Sequence, residues 1–149
     1  MKYFYFFVLL LVFSITVSAQ TDAKKIDYST PASKAIKSSP AYSALVLQRT
    51  VIKAELEEML VTYTEDFPKV KDARHEIDLI NFELTRLLDT KVTDSCKLSD
   101  SLGKLMLKKT EVEMQVYNLK KKYNDDHPEV LRAKRKLDIY EKAVAEILP

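Results

Sequence analysis

The residues able to do chemistry are few and scattered. Histidine occurs at positions 75 and 127 and cysteine only at position 96. A zinc site gathers about four nitrogen, sulfur or carboxylate ligands, and neither histidine has such company in sequence. His127 follows Asp125 and Asp126, which would hold a metal weakly; a loop histidine placed by local turn structure is the preferred reading. Cys96 is far along the chain from both histidines, so no nucleophile–base pair is expected. Glu57 and Glu58 read as solvated charges on a helix face. A chain with one glycine has no Gly-rich phosphate loop. The Lys120–Lys122 run is short and ends a helix, which is not the footprint of a nucleic-acid protein. The reading is therefore non-enzymatic: no catalytic residue, no cofactor, no metal and no nucleic-acid partner.

Two charged residues stand out because of where they fall. Arg49 and Lys109 each replace an apolar residue in an otherwise apolar seam. Their alkyl stems could pack while the charges reach water at the seam edge. Alternatively they form a polar layer that sets register, paired with Glu83 or Glu141. That second role concerns assembly, not catalysis.

The seam itself comes from a duplication. YTEDFPKV, residues 63–70, returns sixty positions later as YNDDHPEV, residues 123–130. At that offset Thr50 falls on Thr110, Tyr63 on Tyr123, Asp66 on Asp126, Pro68 on Pro128, Val70 on Val130 and Ala73 on Ala133. Arg74 meets Lys134 and Ile77 meets Leu137. An ungapped match across roughly 45 residues marks an internal repeat. Within each copy apolar residues recur at alternating steps of three and four, a period of about 3.5 that reads as a coiled-coil seam. The first copy carries Leu45, Ile52, Leu56, Met59 and Tyr63, then Val70, Ala73, Ile77, Ile80, Leu84 and Leu87. The second carries Leu98, Leu102, Leu105, Lys109, Val112, Val116, Leu119 and Tyr123, then Val130, Ala133, Leu137, Tyr140, Val144 and Ile147.

Folding each copy back on itself pairs seam with seam: Tyr63 with Val70, Met59 with Ala73, Leu56 with Ile77, Ile52 with Ile80 and Leu45 with Leu87. The duplicated octapeptides then lie at the turns. Pro68 and Pro128 suit the first turn of a following helix, and push Phe67 and His127 out of helical geometry. Acidic residues just ahead favour the positive end of that helix. Helices of about 20 residues would be about 30 Å long. The expected fold is all-α: two tandem antiparallel coiled-coil hairpins of four long helices, stacked as a rod or closed into a four-helix bundle. Composition agrees, since one glycine leaves little scope for tight β-turns.

Further apolar residues lie off the main seams: Leu47, Val51, Leu60, Val61 and Leu79 in copy one, and Leu107, Met114, Tyr117, Leu131 and Ile139 in copy two. They call for a second partner. Residues 41–95 hold 7 basic and 11 acidic side chains, a balance of −4, and residues 96–149 hold 12 and 9, a balance of +3. The copies are complementary in charge, within one chain or between two.

The chain divides into residues 1–19, a signal peptide; 20–40, a flexible linker; 41–95, the first hairpin repeat; and 96–149, the second. MKYFYFFVLLLVFSITVSA has a lysine, an apolar run and small residues at its end, the layout of a cleaved secretory signal. The run is short for a membrane anchor, which takes about 20 apolar residues; uncleaved, it would be the chain's contact with the membrane. The expected location is extracytoplasmic, periplasmic or secreted. A lone Cys96 forms no internal disulfide, and reads as an incidental thiol or a bridge between chains.

Tyr123, His127, Pro128 and Val130, running on into LRAKRKL, resemble the extracytoplasmic coiled-coil segment of polysaccharide chain-length determinants and exopolysaccharide tyrosine kinases. That resemblance implies long periplasmic helices, oligomerisation and a part in polymer export. A likeness to tetratricopeptide repeats fails on period, about 34 residues there. The expected function is a secreted coiled-coil interaction or scaffold module of the bacterial cell envelope, with a protein partner or self-association. The alternatives are a periplasmic holdase-like chaperone and an accessory to polysaccharide export.

Overall fold

A computed structural model describes residues 30–90 and 97–148. The expected signal peptide, residues 20–29 of the expected linker and Cys96 lie outside the described residues. Among the described residues the chain is all-α, with five helices: α1 Pro31–Lys37, α2 Pro40–Thr62, α3 Pro68–Asp89, α4 Asp100–Lys120 and α5 Pro128–Ile147. No helix among them is long and apolar enough to cross a membrane.

Helix starts follow the local chemistry. Thr30, Ser39 and Ser99 cap α1, α2 and α4, their side-chain oxygens accepting from the backbone N–H groups of Ser33, Tyr42 and Leu102. Proline opens α1, α2, α3 and α5, where its missing N–H costs nothing.

Part of the stretch 20–40, expected as linker, is ordered structure. Residues 31–37 form α1, which packs on α2 and α3 and buries Ile36. A helix anchored by one large apolar residue shows no apolar period, so the pattern that finds the longer helices passes over it. Thr30 and Pro31 mark its start, and Ser39 and Pro40 mark the start of α2 just beyond its end.

α2 packs along α3, α4 along α5, and α4 also lies against α2 and α3. Every expected seam residue of α3 is buried: Val70, Ala73, Ile77, Ile80, Leu84 and Leu87. In α2 the buried seam is Leu45, Ile52 and Leu56, with Met59 half-buried. Burying one such aliphatic side chain contributes about 1.5–3 kcal/mol, so this row is the main source of cohesion. α4 buries Leu102, Lys109 and Val112 from its seam, and also Gly103, Met106 and Thr110 on a second face turned toward copy one. In α5 only Val130, Ala133 and Val144 are buried, while Leu137, Tyr140 and Ile147 are half-buried.

The chain's one glycine sits at a close approach of α4 to α2. A Cβ built on Gly103 would stand 3.0 Å from Ala41 Cα and 3.0 Å from Ala44 Cβ. α4 can lie this close to α2 because all three residues are small. The Ala41 N–H donates to the Leu98 carbonyl at 3.2 Å beside the same contact.

Candidate functional site

The duplicated turns are built alike, residue by residue. Phe67 has φ −61° and ψ 131°, and His127 has φ −62° and ψ 136°. The N–H groups of Tyr63 and Tyr123 donate to Met59 and Leu119 four residues back, closing α2 and α4. Each tyrosine ring then stacks on the ring four residues ahead: Tyr63 on Phe67 at 4.1 Å and Tyr123 on His127 at 4.0 Å. Phenylalanine and histidine thus do one job, presenting a flat ring. His127 does a second, its Nδ1 accepting from the Glu129 N–H at 3.3 Å. Pro68 and Pro128 open the next helices, and Val70 and Val130 are their first fully buried residues.

An ion pair spans each turn at the same repeat positions: Arg74 with Glu65, and Lys134 with Asp125. Lys134 and Lys120 hydrogen-bond Asp125 and hold its carboxyl below the usual range. Lys71 does the same for Asp66, whereas Asp126 has Leu131 at the matching place. Sequence reasoning found the turn but missed these crossing pairs. The signal was present, as an acid and a base nine residues apart in both copies.

Arg49 and Lys109 share a repeat position and diverge in structure. Arg49 is half-buried and donates from Nη1 to Asn81 Oδ1 at 2.9 Å. Lys109 is buried, with Nζ 2.7 Å from Glu83 Oε1 and 2.6 Å from Glu113 Oε1. Burial pulls the Lys109 ammonium down, but hydrogen bonds to Glu113 and Glu83 outweigh it and leave it above the ordinary lysine range. Glu83 is fully buried; its Oε2 has no hydrogen-bond partner among the described residues, and Arg86 Nη1 stands 4.0 Å away. Glu83 therefore pairs across the copies, from α3 to α4. Glu141, the other expected partner, is exposed. Glu113 was missed, although it lies one helical turn beyond Lys109.

Two more contacts fix α3 against α4. His75 packs on Tyr117 with ring centroids 4.0 Å apart, and Lys121 lies over the Tyr117 ring while pairing with Asp72. Eight residues forward on α3, from His75 to Glu83, match eight back on α4, from Tyr117 to Lys109, so the helices run antiparallel. Both histidines are thus engaged with aromatic rings. Among the described residues no group of three or more His, Cys, Asp or Glu is placed to hold a metal.

Two grooves remain. One of about 470 Å³ lies between α2, α3 and α4, with Gln48, Glu76, Ile80, Leu107 and Glu111 among its walls. Desolvation there pushes the Glu76 carboxyl up, helped by the charges of Glu55 and Glu111. The other, about 310 Å³, runs between α4 and α5 beside Gln115, Leu119, Arg132, Ala133 and Lys136. Neither sets a nucleophile against a base. Several large apolar side chains face outward: Leu47, Val51, Val61, Phe82, Leu131 and Ile139. Comparison with protein-family models, curated proteins and solved structures finds no match for this chain.

Proposed function

We propose that this chain is a non-enzymatic helical interaction module of the bacterial cell envelope, exported by its N-terminal segment and built as two antiparallel coiled-coil hairpins. The observation that carries the reading is the set of large apolar side chains exposed on α2 and α5. Leu47 is 67 % exposed, Val61 87 % and Ile139 65 %, on the faces of α2 and α5 that lie off their seams. Single exposed apolar residues are common, but several gathered on one helix face, as Leu47, Val51 and Val61 are on α2, favour a docking surface. The buried Lys109–Glu83 pair fits a device that fixes how the two copies sit, as polar groups in helical seams can do. Under this reading the envelope location follows from residues 1–19, and polymer export is one setting in which such a module works.

A holdase-like chaperone is the second reading, because the same exposed side chains could grip unfolded clients. A photo-crosslinking residue at position 47 or 139, introduced in cells, separates the two. A docking module gives one or two discrete adducts and leaves the aggregation of a denatured client unchanged. A smear of adducts with suppressed aggregation transfers the case to the chaperone. No adduct at either position removes both.

A further inference from the structure

The duplication makes it possible to ask what each surface of one copy meets in the other. In copy one, the groove between α2 and α3 is occupied. Lys121 of α4 pairs there with Asp72, Tyr117 packs on His75, and the half-buried Glu76 feels the charge of Glu111. Sixty residues on, the same groove between α4 and α5 is open and has the opposite charge. Arg132, Arg135 and Lys136 stand in place of Asp72, His75 and Glu76, and Arg132 and Lys136 line the cavity of about 310 Å³, with Glu129 the one acidic residue on its wall.

The inserting side is unpaired in the same way. The stripe of α4 turned toward copy one includes Leu107, Glu111 and Lys121; Leu107 packs half-buried against the core. Its duplicate on α2 is Leu47, Val51 and Val61. These three lie within one narrow face by helical geometry, and are 67 %, 44 % and 87 % exposed. The molecule thus ends in an unused insert on copy one and an unused groove on copy two.

We propose that these half-junctions join between molecules: α2 of a second copy of this chain lies in the α4–α5 groove as α4 lies in the α2–α3 groove. The proposal rests on the interaction-module reading and names its partner. Charge supports that occupant. At the matched positions Glu57 of the incoming α2 meets Arg135, while Val51 and Val61 lie along the alkyl stems of Lys136 and Arg132. The balance of −4 on residues 41–95 against +3 on 96–149 acts in the same direction. Insert and groove are different surfaces, so the contact is head-to-tail and, unless a ring closes, extends without limit.

The test uses the chain expressed from its full sequence and followed by sedimentation velocity. Wild type should grow beyond a dimer as concentration rises. Leu47→Glu with Val61→Glu blocks the insert, and Arg132→Glu with Arg135→Glu blocks the groove. Each double variant should be monomeric with wild-type helicity, because all four sites are at the surface. Mixed in equal amounts they should form a dimer, since each retains the half the other lacks. Glu57→Arg combined with Arg135→Glu should restore association that either change alone weakens. A wild type that stays monomeric overturns the proposal. So does association that survives both blocks, or a dimer that mixing fails to restore. Discrete crosslinks from position 47 to another envelope protein, with a monomeric chain, would keep the interaction reading and sink this inference alone.

Discussion

Copy one and copy two carry the same seam pattern, yet one is packed on more sides than the other. α3 buries every residue of its seam, whereas α5 buries Val130, Ala133 and Val144 and leaves Leu137 and Tyr140 half in water. The cause is the number of neighbours. α3 touches α1, α2 and α4, while the principal neighbour of α5 is α4. A heptad pattern states which face of a helix is apolar, but how deeply that face is buried depends on how many helices surround it. Equivalent substitutions in the two copies should therefore differ in effect, and those differences are the sharpest check on the arrangement.

The largest contrast is expected at the duplicated seam cation. Lys109→Met leaves Glu83 buried without its partner, and loss of one member of a buried pair costs about 3–5 kcal/mol. Arg49→Met removes one hydrogen bond to neutral, half-exposed Asn81 and should cost about 1 kcal/mol. Adding Glu83→Leu to Lys109→Met should recover most of the stability, measured by urea unfolding. Equal losses at both positions would mean that Lys109 is no more buried than Arg49.

Next come the apolar seams. Ile77→Asp places a charge in a buried site that offers it no partner, and circular dichroism should report loss of the folded helical state. Leu137→Asp, at the duplicate position, can turn its carboxylate toward solvent and should only lower the melting temperature. Complete unfolding by both variants would show α5 to be as enclosed as α3.

Gly103→Leu should pry α4 from α2, because even a Cβ there stands 3.0 Å from Ala41 Cα; overpacking of this kind costs about 1–3 kcal/mol. Its duplicate Ser43→Leu lies on an exposed position and should be close to neutral in thermal unfolding. A harmless Gly103→Leu would place the copies further apart than this contact requires.

The smallest effect is a pH dependence. The Glu76 carboxyl is raised in the folded chain by desolvation and by Glu55 and Glu111. The unfolded chain therefore ionises first as pH rises, and stability falls from the ordinary glutamate range upward to the folded value. Glu76→Gln should raise the melting temperature at pH 7 and lose that advantage once the pH drops below the glutamate range. Lys136→Gln, at the duplicate position in the open groove, should show no such crossing. A Glu76→Gln gain that is independent of pH would have another origin.

Much of the local structure was legible from the residues alone. Proline and capping residues set where helices start, because those preferences are decided within one turn of chain. The three-and-four spacing located the apolar faces, and the sixty-residue offset identified the two turns, while the stacking of each tyrosine on the ring four residues ahead came from the structure. α1 was passed over, since a single Ile36 makes no period, although Thr30 and Pro31 carry the signal of its start. Only the tertiary structure decided which of two equivalent cations is buried: Lys109 meets Glu83 from α3, while Arg49 meets Asn81. It likewise gave Gly103 its meaning, as the point where α4 comes against Ala41 and Ala44. The physical division is one of range. Backbone sterics, capping and apolar periodicity act over a few residues and are written in order along the chain. Burial and charge pairing depend on what arrives from the other copy, and two copies of one pattern need not meet the same neighbours.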